Sequence, residues 1–221
     1  MEYLVRRTAT PPTLTGEWDH PLWQAAHTGE LTHFVARSSD HHPRVQFRLL
    51  YDDAALYLIF RVEDRYVRSV VTEFNGSVCQ DSCTEAFIQP ERGGKYLNFE
   101  VNCGGCLLCY CIDASRPTER FFEHTPITPE DGARVAIYHS MPARVDPEIT
   151  EPTTWINHIH IPLDLFEKYT GVAGSPAGQV WYANLYKCAD ATSHPHWATW
   201  APIEGNSFHQ PNFFAPLRFE I

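Results

Sequence analysis

Between Tyr96 and Ile112 the chain reads YLNFEVNCGGCLLCYCI, two apolar-rich runs that meet at Gly104-Gly105. Alternation on either side predicts a β-hairpin, because successive side chains of a strand point to opposite faces. Glycine accepts the positive φ that a two-residue primed turn demands, so the turn is expected at Gly104-Gly105, with Cys103 facing Cys106. Counting outward opposes Val101 to Leu108 and Phe99 to Tyr110 on a face expected in the core. Glu100 then faces Cys109 and Asn98 faces Cys111 on the other side. That second face carries Asn98, Glu100 and Asn102 at period two, a row that either meets water or a polar ligand lying across the strands.

The same period recurs along the chain. Val45, Phe47 and Leu49 alternate, a turn follows at Asp52-Asp53, and Leu56, Leu58, Phe60 and Val62 resume the pattern as a second hairpin. A strand from Cys83 to Gln89 sends Thr84, Ala86 and Ile88 one way and Glu85 and Phe87 the other. ARVAIYHSM reads as a further strand, while the segment from Asp113 to Pro129 reads as irregular. TTWINHIHIP sets Trp155, Asn157, Ile159 and Ile161 against Ile156, His158 and His160. PLDLFEKY is a short helix closed at Gly171, and QVWYANLYKC and APLRFEI are late strands. Trp18 and Trp23 flank a turn or short helix near Pro21 and read as packing anchors. The expectation is an all-β fold: a two-sheet antiparallel β-sandwich of jelly-roll type, about ten strands with one short helix, forming a single domain over residues 1–221.

Composition narrows the function. Aromatic residues make up 13% of the chain and proline occurs 17 times, which suits short strands and turns. A formal charge of −10 lacks the basic patch that nucleic acid or an anionic membrane requires, so a neutral ligand fits better. The first residues, MEYLVRRTATPPTL, show no apolar leader and no run approaches the ~20 apolar residues of a membrane span. A soluble, cytoplasmic protein is expected as written, or an extracellular or periplasmic one if a leader has been removed.

Catalytic motifs are scarce. The seven cysteines are an odd count, and strand alternation divides Cys103 and Cys106 from Cys109 and Cys111, against a metal cluster there. His158 and His160 project together but have no third ligand nearby in sequence. No nucleophile elbow, phosphate loop or His-Glu-x-x-His helix occurs. Glu85 and Glu100 can approach each other across neighbouring strands as a carboxylate pair. Their expected neighbours Asn98 and Asn102 are polar, whereas a general acid needs apolar surroundings, so no enzyme is expected.

The succession LTGEWDHPLW, LLYDDAALYLIFRVED, QDSCTEAFIQP, YLNFEVNCGG, WINHIHIPLDLF, WYANLYKC, HWATW and FHQPNFF resembles the family 9 carbohydrate-binding modules and their relatives in the DOMON-like superfamily. The resemblance implies a non-catalytic β-sandwich that binds the end of a glucan- or xylan-type saccharide, accessory to carbohydrate catabolism, with structural calcium. It places Glu85, Glu100, Asn102 and His158 in one ligand pocket with Trp197 or Trp200 as aromatic platform. Asn184 and Lys187 of the WYANLYKC strand complete the candidate ligand-binding set. Three positions depart from the family pattern: Glu100 stands for an arginine, His158 for a glutamine and Cys79 for a stacking tryptophan. Trp200 is the expected platform, in a loop bounded by Pro195 and Pro202. The alternatives are a metal-dependent jelly-roll enzyme using His158 and His160, or a structural interaction module without sugar affinity.

Overall fold

The computed structural model describes residues 1–119 and 121–221. The chain opens with β1 (Tyr3–Arg7), the short helix α1 (Pro21–Gln24) and two brief strands, β2 (Gly29–Glu30) and β3 (His33–Phe34). The long hairpin β4 (Arg44–Tyr51) and β5 (Ala55–Asp64) follows, then β6 (Val67–Ser69). A run of neighbours comes next: β7 (Cys83–Gln89), β8 (Lys95–Asn102), β9 (Leu107–Pro117) and β10 (Phe122–Pro126). After α2 (Pro129–Gly132) come β11 (Ala136–His139), β12 (Val145–Ile149), β13 (Thr153–Pro162) and α3 (Leu163–Thr170). The chain closes with β14 (Val180–Cys188), β15 (Trp197–Thr199) and β16 (Ala215–Phe219).

The strands build a β-sandwich from one curled sheet, with β6 and β12 paired antiparallel as a separate small sheet. One layer has the order β10-β9-β8-β7-β14-β16-β1, and the other β1-β4-β5-β13-β11. β1 belongs to both: Tyr3, Leu4 and Val5 pair in parallel with β16, and Arg6 and Arg7 pair in parallel with β4. The sequence suggests only an extended, proline-punctuated start here, because five residues carry too short an alternation to mark a strand. The expectation of an irregular Asp113–Pro129 is also corrected. β9 runs on to Pro117 and β10 returns antiparallel beside it, although their exposed, mixed polar side chains show no clear period. Among the described residues three short α-helices are present where one was expected.

The hairpin of β8 and β9 forms, one residue out of the expected register. Val101 faces Leu107, Phe99 faces Cys109 and Leu97 faces Cys111. The turn is a three-residue loop, because Gly105 alone takes positive φ (86°). Gly105 N donates to Asn102 O (2.9 Å) and Cys106 N to the Asn102 side-chain oxygen (2.8 Å). A type I turn followed by a left-handed glycine produces this loop. Gly104 is required for another reason: a Cβ there would collide with the Ala143 carbonyl and Ser69. A one-residue slip exchanges the faces of a whole strand. Leu108 and Tyr110, expected in the core, therefore lie half-buried on the outer face, while Cys109 and Cys111 enter the core beside Cys103.

Ala86, Phe99, Val101 and Leu185 meet Phe47, Leu58, Phe60, Trp155 and Ile159 between the layers. Each large side chain buried in this way contributes ~1.5–3 kcal/mol. Asn157 interrupts the apolar interior, and its amide reaches across the sandwich to donate to Thr84 Oγ1 and Val101 O (3.0 Å each). One end is plugged by α3. Its Phe166 packs against Trp181 with ring centroids 4.9 Å apart, and Gly171, at φ 83°, caps the helix. Trp23 of α1 is buried on the outer face of the second layer with Leu50, Tyr57 and Ile59.

Candidate carbohydrate-binding site

Alternation along β7, β8 and β14 sends Glu85 and Phe87, Asn98 and Glu100, and Tyr186 and Cys188 to the outer face of the first layer. Loops cover this face, so the polar row does not meet open water. Glu85 is 2% exposed and Glu100 7%. The two stand directly opposite each other across β7 and β8. They floor a cavity of about 170 Å³ whose walls include Arg37, Cys79, Asp190, Trp197, Phe208 and His209.

Each carboxyl has one oxygen engaged. Asn98 Nδ2 donates to Glu100 Oε1 (2.7 Å), and the Cys188 thiol donates to Glu85 Oε1 (2.9 Å). Among the described residues no protein donor reaches the second oxygen of either. Burial, only partly offset by the Asn98 hydrogen bond, pushes Glu100 up to about 7. Glu85 is raised well above the usual carboxylate range by burial first and by repulsion from Glu100 second. The expectation of polar neighbours holds for Asn98 and fails for Asn102, while Phe87, Tyr186 and thiols supply apolar surroundings that were not expected.

Trp197 is half-buried on the wall. Its indole N–H donates to Asp190 Oδ1 (2.7 Å), and the Arg37 guanidinium lies 3.8 Å from its ring centroid. Opposing hydrogen-bond and cation–π contacts thus orient the ring before any ligand arrives. Phe208 stacks on Tyr186 at 4.1 Å between centroids, and the Tyr186 hydroxyl donates to Phe208 O (2.8 Å). This anchors the C-terminal loop to the sheet.

Of the eight candidate residues, the structure brings Glu85, Glu100 and Trp197 together. Asn102 shares their face but is consumed at the hairpin end, where its amide donates to Asp81 Oδ2 and Val71 O (2.9 Å each). Asn184 clamps the backbone of Ala201, donating to its carbonyl (2.9 Å) and accepting from its N–H (2.8 Å). His158 is on the outer face of the other layer, 5.2 Å from the Trp23 ring and 2.9 Å from His160. Lys187 points inward because its strand alternates. There its ammonium donates to His196 Nε2 (2.7 Å) and lies 3.4 Å from Asp64. Although burial opposes ionisation, Lys187 and His41 hold the Asp64 carboxyl well below the usual range.

The choice of Trp200 as platform is also corrected. Trp200 N donates to Leu185 O, so the extended path of β15 continues through it. Residues three apart on an extended chain face opposite ways, and Trp200 packs inside against Phe47 and Tyr3, 4% exposed. Sequence reasoning missed Arg37, Asp190 and Asn206, which come from loops without periodicity. Phe208 and His209 stood in the quoted FHQPNFF motif. Cys79, where a family member would carry a ring, does line the cavity.

Two donor sets converge within metal-binding range among the described residues: His41, Asp64 and His196, and Cys83, Glu85 and Cys188. Neither is the oxygen-rich set that calcium takes, and among the described residues no third metal-ligating group joins His158 and His160. A larger depression of about 930 Å³ runs beside β9 and β10. Arg116 and Glu123 pair there (3.1 Å), and none of the charged side chains that line it is buried, unlike the two glutamates of the smaller cavity.

The family model for carbohydrate-binding family 9 matches residues 25–219. Among solved structures, a Bacteroides uniformis ATCC 8492 protein proposed to bind carbohydrate is similar, with 27% identity, 99% of each chain covered and a TM-score of 0.87. A family 9 carbohydrate-binding module from Caldicellulosiruptor kristjanssonii, solved with cellotriose, has 16% identity over 100% of this chain and 94% of that one, with a TM-score of 0.65. The module from that organism solved with glucose has 15% identity, 100% and 96% coverage, and a TM-score of 0.64. No curated protein matches the chain. With a matching model over most of its length and the same β-sandwich in these modules, the chain belongs to carbohydrate-binding family 9.

Proposed function

We propose that the chain binds, without cleaving it, the end of a glucan- or xylan-type saccharide in the cavity over Glu85 and Glu100, as an accessory to carbohydrate catabolism. The observation that carries this reading is the buried pair of facing glutamates with open oxygens beside the oriented Trp197 ring. Sugars offer hydroxyls to such oxygens and C–H faces to such a ring. Family membership and the cellotriose and glucose carried by the related modules support it. A cavity of about 170 Å³ suits one pyranose ring at a chain end better than a continuous run of them. Both carboxyls rise from one floor, whereas a glycosidase places its pair on either side of the scissile bond.

Isothermal titration calorimetry with glucose, cellotriose and xylotriose tests the proposal. Saturable binding that Glu85→Ala removes, with no reducing sugar released on prolonged incubation, is the expected result. Absence of heat with every saccharide overturns the binding reading, and turnover overturns the non-catalytic one.

A further inference from the structure

We propose that this pocket selects saccharides bearing a free amine, with the ammonium group seated between Glu85 and Glu100. The inference rests on the saccharide reading above and names the sugar class within it.

Two buried carboxyls facing each other need a counter-charge or a retained proton. The protein supplies no cation at this point among the described residues. Arg37 lies on the Trp197 ring, and it acts on Asp190, which also takes the indole hydrogen bond. Lys187 is on the core side of the sheet, committed to His196, Cys188 O and Asp64. His209 shares a hydrogen with Tyr96 Oη (2.8 Å), and burial depresses its ring to about 4, so it is neutral near pH 7. The one open oxygen of each glutamate is left to the ligand.

A neutral hydroxyl brings no counter-charge, so opposite it the pair retains its protons. An ammonium brings three donors and a positive charge, engages both open oxygens and lets both carboxyls ionise. Its hydrogen bonds to carboxylate are roughly twice as strong as neutral ones. The pyranose ring then lies against the aromatic wall that Trp197 and Phe208 provide. N-acetylation would remove the charge and add bulk to a small cavity. A net charge of −10 also favours approach of a cationic chain over an anionic one.

The test is calorimetry at pH 6.5 on the intact chain with three probes: the β-1,4-linked glucosamine tetramer, its N-acetylated counterpart and cellotetraose. The glucosamine tetramer should bind on the order of tenfold tighter than the other two, the gain of exchanging a neutral for a charge-assisted hydrogen bond. In the Glu85→Gln, Glu100→Gln double variant, shown to be folded by a wild-type far-ultraviolet circular dichroism spectrum, the glucosamine tetramer should lose its advantage over the other two. Equal affinity for amine and neutral tetramers overturns the inference and leaves saccharide binding standing. No binding of any tetramer overturns both. An amine preference that survives in the double variant places the selecting charge elsewhere and also overturns it.

Discussion

Replacing Glu100 by glutamine should stabilise the protein, and only at high pH. Burial raises this carboxyl from 4.5 to about 7, so the folded state binds its proton more tightly than the unfolded chain does. A folded-state value raised in this way means that the group's favourable contribution is complete below about 4.5 and lost as pH rises through about 7. At about 1.4 kcal/mol per tenfold in proton affinity, ionised Glu100 costs the fold at most about 3.5 kcal/mol. Glutamine keeps an oxygen for Asn98 Nδ2 and cannot ionise, and Glu85 loses the repulsion of its partner. Urea unfolding of both proteins at pH 4.5 and pH 8.5 measures the effect. The midpoints should nearly coincide at pH 4.5, and the variant should gain up to about 3.5 kcal/mol at pH 8.5, equivalent to roughly 7–14 °C in Tm for a chain of this size. Comparing variant with wild type at each pH cancels the opposing contributions of buried histidines elsewhere. A variant no more stable than wild type at pH 8.5, or stabilised equally at both pH values, refutes the buried, repelling pair.

Trp197→Ala should abolish saccharide affinity by calorimetry while lowering stability by about 1 kcal/mol or less, the scale of its exposed cation–π contact. Trp200→Ala should instead cost ~3–5 kcal/mol, as for other buried tryptophans, in a thermal melt. His158→Ala should leave saccharide affinity unchanged, because His158 lies on the far outer face. Lys187→Met should destabilise by ~3–5 kcal/mol by leaving Asp64 buried without its cation, and adding Asp64→Leu should restore part of the urea midpoint.

Local pattern determined much of this protein by itself. Alternation along Val45–Val62, Cys83–Gln89, Tyr96–Asn102 and Val180–Cys188 is a property of adjacent residues, and it grouped Glu85 with Phe87, Glu100 with Asn98 and Tyr186 with Cys188, each on its own strand. Ordered motifs along the chain were enough to reach the family. Register was not legible to the residue: Gly104-Gly105 looks like a two-residue turn, yet Asn102 hydrogen bonding and the approach of Ala143 to Gly104 chose a three-residue loop, and that single step exchanged Leu108 and Tyr110 for Cys109 and Cys111 in the core. Which layer a strand joins is likewise settled by long-range pairing, so His158 went to the far side of the sandwich although its strand was correctly read. The pocket walls were the least legible part. Arg37, Cys79, Asp190 and Phe208 come from segments without periodicity and meet only because tertiary packing brings distant loops over the β7–β8–β14 face. The same packing removes water from Glu85 and Glu100, and a side chain's burial, unlike its direction along a strand, depends on the rest of the chain.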